Sequence, residues 1–541
     1  MPAPLTNNSD PQGQSQEGLI TAMLNPQFYP KPPAEVIHKE THISHVFLAG
    51  DLVYKVKKAV RYSFLDYSTL KKRRHFLQEE LRLNRRLSPS VYLAVMPISF
   101  DSTGWRLGGS DTPDEYTLVM RRLPERRMLP ALLDCGQVTA EMMQRLAEVL
   151  ANFHSHAEVV TGIEASAHPK NVKREWNDNL ADLTPLAGRF IDAETLKTLA
   201  DFGADFISRH GALFRRRAAQ GWVRDVHGDL HCEHICFALE GIEIYDCIEF
   251  SSKLRRCDLA SEIAFLLMDL EARGGGASRA PFLERYLDLT KDTELSLLLP
   301  FYECYRALVR GKVEALRPET AGERAPRYFQ SALAITWQPL QPFLIMLCGL
   351  TGSGKSTLSR ELAKRLRMPP VNSDAVRKEL AGASGRNFVP FEAGIYSQAT
   401  TRKTYARIAA LAEEHIRSGT GAILDATFSR RENRQDVLRL AERLNVPLIA
   451  VHCFASDRIT RERLDRRAQG GKDVSDGRWE IYQQQKETYE PMEEFPPASR
   501  LELDTESAVG EMANRVEDFL RSRIRQLRRN HDQASASPQR R

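Results

Sequence analysis

At 541 residues the chain is longer than one hydrophobic core organises, so two or three domains are expected. Its composition, 42% hydrophobic and 27% charged, is that of a globular protein, and a net charge of +5 over this length gives no argument for nucleic acid. No apolar segment reaches membrane-span length, the N-terminus is polar rather than signal-like, and eight cysteines are scattered through mostly apolar runs. These features predict a cytoplasmic chain with reduced thiols and no membrane or nucleic-acid partner.

Residues 1–34 are predicted to be largely disordered, being rich in Asn, Gln, Ser and Pro, with a short helix possible over Leu19 to Leu24. Ile43 to Leu48 and Leu52 to Val56 read as two strands joined by the tight turn Ala49-Gly50-Asp51. Val53, Lys55 and Lys57 share one face of the second strand. Leu70 to Leu87 is helical, and its apolar stripe of Phe76, Leu77, Leu83 and Leu87 contains Glu80. A carboxylate on a core-facing stripe needs a cation, and Lys55 is the candidate. Hairpin, lysine, helix and glutamate come in the order of a kinase small lobe, where such an ion pair sets the lysine on the α/β-phosphates. Tyr116 to Met120 is then the expected hinge strand.

Val226 to Cys236 reads VHGDLHCEHIC, a loop carrying Asp229, and Ile242 to Phe250 reads IEIYDCIEF, a strand carrying Asp246. Together with Arg256-Cys257-Asp258-Leu259-Ala260, these segments resemble the aminoglycoside phosphotransferase family and its protein-kinase-like relatives, over about residues 36–315. The resemblance implies a bilobal α+β fold. It makes Asp229 the catalytic Asp that orients the acceptor hydroxyl and takes its proton, Asp246 a Mg²⁺ ligand, and Lys55–Glu80 the nucleotide-binding ion pair. Two departures stand out. The family's second metal ligand is Asn, and this chain has His234 there, although imidazole suits Mg²⁺ poorly. Glu35 to His42 also contains no glycine to cover the phosphates. His231, Cys232, His234 and Cys236 could alternatively be read as a zinc site, but no second ligand pair is evident, so catalytic-loop histidines and buried thiols are preferred.

Arg317 to Pro342 is richer in Pro, Gly and charge and reads as a linker, with room for one helix near Tyr328 to Ile335. Phe343 to Thr357 reads FLIMLCGLTGSGKST, an apolar strand, a glycine-rich turn and the start of a helix. Gly349, Gly354, Lys355 and Ser356 fit G-x-x-x-x-G-K-[ST], and the loop Gly349, Thr351, Gly352, Ser353, Gly354, Lys355, Ser356 and Thr357 is predicted to bind a nucleoside triphosphate. Its amides and the helix N-terminus meet phosphate oxygens, Lys355 reaches the β/γ-phosphates, and Ser356 ligates Mg²⁺.

Further strands are expected at Pro370 to Asn372, Ala422 to Leu424, Pro447 to Phe454 and Arg500 to Leu503, alternating with helices as in a doubly wound parallel sheet. Asp374 and Asp425 fall at strand ends beside the loop. Either can hold Mg²⁺ or accept a hydroxyl proton, or cap a helix; capping suits Asp374 best, and the apolar run before Asp425 favours a Walker-B-like metal role. NSDAVRKEL and AILDATF, followed by Arg434, resemble small P-loop kinases of the zeta-toxin, gluconate-kinase and nucleotide-kinase group, in which the early Asp lies near the acceptor hydroxyl. Ser456 to Gln469 carries five arginines, of which Arg463 and Arg467, one turn apart, would serve a common site as a charge-neutralising lid; solvated helix charge is the alternative.

The predicted organisation is therefore residues 35–316, aminoglycoside-phosphotransferase-like; 317–341, linker; 342–528, an α/β P-loop NTPase domain; and 529–541, a disordered basic tail. The order resembles bacterial proteins described as bifunctional aminoglycoside phosphotransferase/ATP-binding proteins. The predicted function is transfer of a γ-phosphoryl group from ATP (GTP also fits) with Mg²⁺ to a small hydroxylated acceptor. A polycationic drug is a poorer fit, since Glu262, Asp269 and Glu271 make no dense acidic run. The alternative is a nucleotide-switched regulatory protein with an N-terminal pseudokinase and a slow P-loop ATPase. A zeta-type toxin ranks third, since no antitoxin-binding feature can be read.

Overall fold

The computed structural model describes residues 11–62, 65–109, 112–161, 168–317, 321–382, 397–470 and 478–535. The chain divides into two compact units, 1–332 and 333–541. Among the described residues no helix is long and apolar enough to cross a membrane.

The first unit opens with an antiparallel sheet of β1 (Val36–Glu40), β2 (Ser44–Ala49), β3 (Leu52–Lys57), β4 (Tyr92–Asp101), β5 (Gly104–Leu107) and β6 (Glu115–Arg121). Its strand order is β1-β2-β3-β6-β4-β5. Gly50, at φ +64°, makes the turn that lets β2 and β3 pair from Ser44–Lys57 to Ala49–Leu52. Phe47, Tyr54, Val56, Ile98 and Val119 pack on one face of the sheet together with Leu19, Met23 and Tyr29. The segment before β1, expected to be largely disordered, thus holds a helix, Pro11–Met23, because two apolar side chains within its polar sequence find a sheet face to cover. Residues 1–10 lie outside the described residues. On the opposite face the helix Leu70–Asn84, N-capped by Thr69, packs through Leu77 on Leu118 and Tyr92.

The rest of this unit is mainly helical. Short strand pairs β7 (Val223–Asp225) with β10 (Arg256–Asp258), and β8 (Ile235–Phe237) with β9 (Ile242–Ile244), bracket the loop that carries Asp229. The helix Leu259–Ala272 is buried over nearly its whole length and backs that loop. Arg217, fully buried, bonds both Asp258 and Asp292, which locks the start of this helix to the long helix Ala193–Ala219. Part of the expected linker is a helix, Ala321–Ile335, whose Tyr328 hydroxyl donates to Asp269 at 2.5 Å. The helix expected near Tyr328 to Ile335 is there and starts earlier, at Ala321, with Tyr328 and Phe329 buried. Residues 318–320 lie outside the described residues.

The second unit is an α/β layer structure on a five-stranded sheet: β11 (Leu344–Cys348), β12 (Pro370–Asn372), β13 (Ala422–Asp425), β14 (Leu448–Phe454) and β15 (Arg500–Asp504). The order is β12-β13-β11-β14-β15, with every pairing parallel, as the alternation of strands and helices predicted. Alternate residues of β11 feed the two cores. Leu344, Met346 and Cys348 pack with Tyr405, Ile408 and Val437, and Ile345 and Leu347 pack with Leu358, Leu362, Leu520 and Ile524. The closing helix, Val509–Ser535, continues past residue 529, where a disordered tail was expected; residues 536–541 lie outside the described residues.

Candidate functional site

β11 ends at Cys348 and the chain turns through Gly349 (φ +138°), Gly352 (φ +79°) and Gly354 (φ +86°) into the helix Lys355–Leu366. At Gly349 a Cβ would stand 2.2 Å from the Cys453 carbonyl oxygen at the end of β14, so only glycine brings the loop this close to the sheet edge. Lys355 Nζ donates to Leu350 O at 2.8 Å and lies 3.4 Å from Ser353 Oγ. Burial holds the Lys355 pKa below the usual lysine range, with Asp425 pulling the other way and Arg467 adding to the depression. Thr351 N–H donates to Gln485 Oε1 at 2.9 Å, which ties the loop to the helix Trp479–Glu487. The Thr505 hydroxyl donates to Ser353 O at 2.8 Å. Ser356 and Thr357 occupy the first turn of the helix.

Asp425 closes β13, next to β11, and is buried. Its Oδ2 accepts from Asn372 Nδ2 at 2.7 Å, while Asn372 Oδ1 accepts from Asp374 N and Ala375 N, each at 3.0 Å. The helix cap at the end of β12 is therefore Asn372. Asp374, which capping had suited, sits in the first turn, with its Oδ1 accepting from Arg377 at 3.0 Å. Of the two arginines expected to serve a common site, Arg467 adds to the depression of the Lys355 pKa, and Arg463 stands against the loop at Gly354. Arg463 donates to Thr505 Oγ1 at 3.0 Å and also to Thr505 O, bracing the loop from behind Gly354, because buried Thr505 presents two acceptors to it.

In the first unit, Lys55 Nζ donates to Glu80 Oε1 at 2.7 Å and to Asp246 Oδ1 at 2.9 Å, so the three residues converge, with Asp246 lying past the end of β9 and not on the longer strand expected. Burial opposes the Lys55 ammonium, but Asp246 and Glu80 outweigh it and hold its pKa well above the usual value. Burial also opposes the charged forms of Asp246 and Asp229, yet both pKa values are depressed, Asp246 by Lys55 and His234, and Asp229 by His231 and His234. Asp246 has a left-handed backbone, φ +62°, uncommon for a non-glycine residue and frequent at functional positions. His234 stands between the two aspartates: Nδ1 is 3.7 Å from Asp229 Oδ2 and Nε2 is 3.6 Å from Asp246 Oδ2. Glu262 accepts from His227 N at 2.8 Å and Gly228 N at 3.0 Å, and Asp269 from Cys232 N at 3.0 Å. Both carboxylates are buried supports of the loop and do not line an acceptor surface.

An uncharacterized protein of Mycobacterium tuberculosis (strain ATCC 25618 / H37Rv), Rv2004c, is 32% identical over 448 residues, which is 81% of this chain and 87% of that protein. The chain belongs to the Rv2004c family. The AAA_33 family model, an AAA domain, matches residues 344–492. With the loop geometry above, the C-terminal region is a P-loop kinase-like, ATP-binding domain. A shikimate kinase of Paracidovorax citrulli (strain AAC00-1) is 52% identical over 44 residues, 8% of this chain and 24% of that enzyme. The Mycobacterium tuberculosis APS kinase CysC, solved with AMPPNP and APS, aligns at a TM-score of 0.26 and 19% identity, covering 34% of this chain and 98% of that one.

In this member of the Rv2004c family three residues escaped the sequence reading. Lys57 is fully enclosed and donates to Glu80 Oε2 at 2.8 Å and to Glu249 Oε1 at 2.5 Å. Asn372 and Gln485 had no motif to announce them. The zinc reading of the HCEHC stretch also changes form: Cys232 and Cys236 are buried free thiols, burial pushing Cys236 up to about 11, whereas Asp229, His231 and His234 are the ligand-bearing group. His227 is held neutral, its Nδ1 accepting from Asp229 N at 3.3 Å and its Nε2 lying 2.9 Å from Tyr245 O, and burial takes its pKa down to about 3. A histidine depressed in the folded state stabilises above its unfolded value and loses that contribution as pH falls. The first unit is accordingly expected to melt at falling temperature as pH drops below about 6.5. A melting temperature that stays flat down to about pH 4.5 would contradict this.

Proposed function

We propose that this chain is an ATP-dependent phosphotransferase whose C-terminal domain moves the γ-phosphoryl group to a small hydroxylated acceptor. The observation that carries the reading is the pair of carboxylates at adjacent strand ends beside the loop: Asp425, buried and pinned by Asn372, and Asp374 in the first turn of the next helix. Two carboxylates in different settings can divide the work, one holding the metal and one taking the acceptor proton. Amides of Gly349 to Thr357 cradle the phosphates, and Lys355 meets the β/γ-phosphates. The Ser356 hydroxyl and Asp425 form an all-oxygen donor set suited to Mg²⁺, which when bound neutralises phosphate charge. Asp374 accepts the hydroxyl proton, and Arg467 offsets charge on the transferring group, with Arg463 acting through Thr505. The segment shared with a shikimate kinase supports a hydroxyl acceptor over water.

We further propose that the first unit is a protein-kinase-like domain of the aminoglycoside phosphotransferase type. The Lys55–Glu80 and Lys55–Asp246 contacts, with Asp229 on the neighbouring loop, favour this. In this reading Lys55 meets the α/β-phosphates, Asp246 holds the metal and Asp229 orients the acceptor hydroxyl. The internal use of Glu262 and Asp269 supports a neutral or anionic metabolite over a polycationic drug.

Purified wild type, Asp374→Asn and Asp229→Ala, incubated with labelled ATP and a metabolite extract, test both statements. Acceptor labelling is expected to fall steeply in Asp374→Asn while ATP still binds. Labelling that disappears only in Asp229→Ala would move the chemistry to the first unit. Water as the sole acceptor in every sample would favour the nucleotide-switched regulator.

A further inference from the structure

His234 occupies the position at which a protein-kinase-like catalytic loop places an oxygen ligand for its metal, and its surroundings decide which of its nitrogens is free. Nδ1 lies 2.9 Å from the Asp229 carbonyl oxygen. A carbonyl oxygen only accepts, so Nδ1 carries a proton, and in its neutral form the ring presents a lone pair at Nε2. That lone pair faces Asp246 Oδ2 at 3.6 Å, beyond hydrogen-bonding range. Lys55 already engages the other oxygen, Oδ1, which leaves Oδ2 turned to the imidazole. A lone pair facing a carboxylate oxygen is repulsive unless a proton or a metal cation stands between them, and 3.6 Å is too long for a proton to make a good hydrogen bond. Metal–ligand distances of about 2.0–2.2 Å to nitrogen and oxygen let one ion span such a gap. Asp229, His231 and His234 carry ligand-type atoms that lie within 4.8 Å of one another, so Asp229 and His231 stand close to the imidazole. The imidazole side chain is 13% exposed and the Asp246 side chain 44% exposed, so the position is open to solvent.

We propose that the first unit binds a first-row transition-metal ion between His234 Nε2 and Asp246 Oδ2, in preference to Mg²⁺. Imidazole suits zinc, iron, cobalt and nickel, whereas Mg²⁺ favours oxygen donors and surrenders its waters reluctantly. The Asp229 carbonyl supplies the outer hydrogen bond that fixes the tautomer and raises the basicity of the ligand nitrogen. The use of this ion in phosphoryl transfer rests on the kinase-like reading above, whereas its binding does not.

Co²⁺ titration of the full chain without nucleotide, followed by visible absorption, tests the site in wild type, His234→Asn and Asp246→Asn, with Asp425→Asn as a control for metal held by the other unit. Wild type and Asp425→Asn are expected to develop the same bands. His234→Asn is expected to weaken Co²⁺ binding by at least about tenfold, the low end for disturbing a metal's ligand environment. Mg²⁺ should compete for the remaining binding better than it does in wild type. Should His234→Asn fail to fold by circular dichroism, Asp246→Asn, which keeps the imidazole, decides on the same criterion. Equal Co²⁺ affinity in wild type and the folded variants, or no bands in wild type, overturns the proposal and leaves an imidazolium–carboxylate pair in its place. Bands that depend on His234 without any phosphoryl transfer would reject the kinase reading alone. Transfer that needs Asp229 but shows no His234-dependent bands would reject the metal alone.

Discussion

Lys355→Ala is expected to lower ATP turnover by the C-terminal domain about 10²–10³-fold, the loss found when one preorganised charge-stabilising donor is removed from an active site. The ammonium is enclosed, and the protein groups it meets are a loop carbonyl and a neighbouring hydroxyl. Burial without a bonded carboxylate depresses its pKa, so the folded domain carries this charge at a cost. A buried charge held at a cost is better explained by an anionic ligand than by the fold. The variant should therefore melt within a few degrees of wild type, since the desolvation relieved roughly offsets the hydrogen bond lost at Leu350 O. A turnover assay with ATP and Mg²⁺, beside a thermal melt, checks both halves. Unchanged turnover would remove the phosphate role of this lysine; a collapsed fold would make it structural instead.

The second large effect is expected at Glu80. Glu80→Ala should destabilise the first unit by about 3 kcal/mol, the lower end for breaking a buried ion pair by deleting one partner. Its two oxygens serve two lysines, Oε1 for Lys55 and Oε2 for Lys57, and the carboxylate is fully buried. Burial opposes its charge, but Lys55 and Lys57 hold its pKa below the usual value. The loss stays near the lower end because Lys55 keeps Asp246 and Lys57 keeps Glu249. The two lysines should part company on substitution. Lys57→Met strands Glu249 against Tyr67 in a closed site and is expected to lower stability. Lys55→Met, at a partly open position, is expected mainly to weaken nucleotide binding. Urea unfolding followed by tryptophan fluorescence, paired with ATP titration, separates the two. Equal stability of Glu80→Ala and wild type would show that the lysines do not depend on this carboxylate.

The parallel sheet and the phosphate loop were legible because their signals are local: an apolar run, glycines at fixed spacing, and leucines at helical period. Lys55 and Glu80 were legible for the same reason, each lying on the face its period predicts. Lys57 shares that face, but its partner Glu249 is 192 residues away, so no spacing could reveal that it is enclosed. Arg463 lies on a helix rich in arginine, and its partner Thr505 is 42 residues on, so no spacing could reveal that contact. Polar composition misjudged the first part of Pro11–Met23, which starts eight residues before the short helix expected from Leu19, since Leu19 and Met23 suffice to hold it once a sheet face is available. Asp374 and Asn372 were separable in principle, as both are capping residue types; the backbone decides which one precedes the first turn.

The phosphate loop is held in shape by its own surroundings: Lys355 on Leu350, Gln485 on Thr351 and Thr505 on Ser353. An incoming triphosphate meets a rigid cradle, and the loss of chain entropy that shaping it requires was incurred when the domain folded. Capture then needs a swap of polar partners and no ordering of a floppy segment, which favours rapid association and an affinity governed by enthalpy.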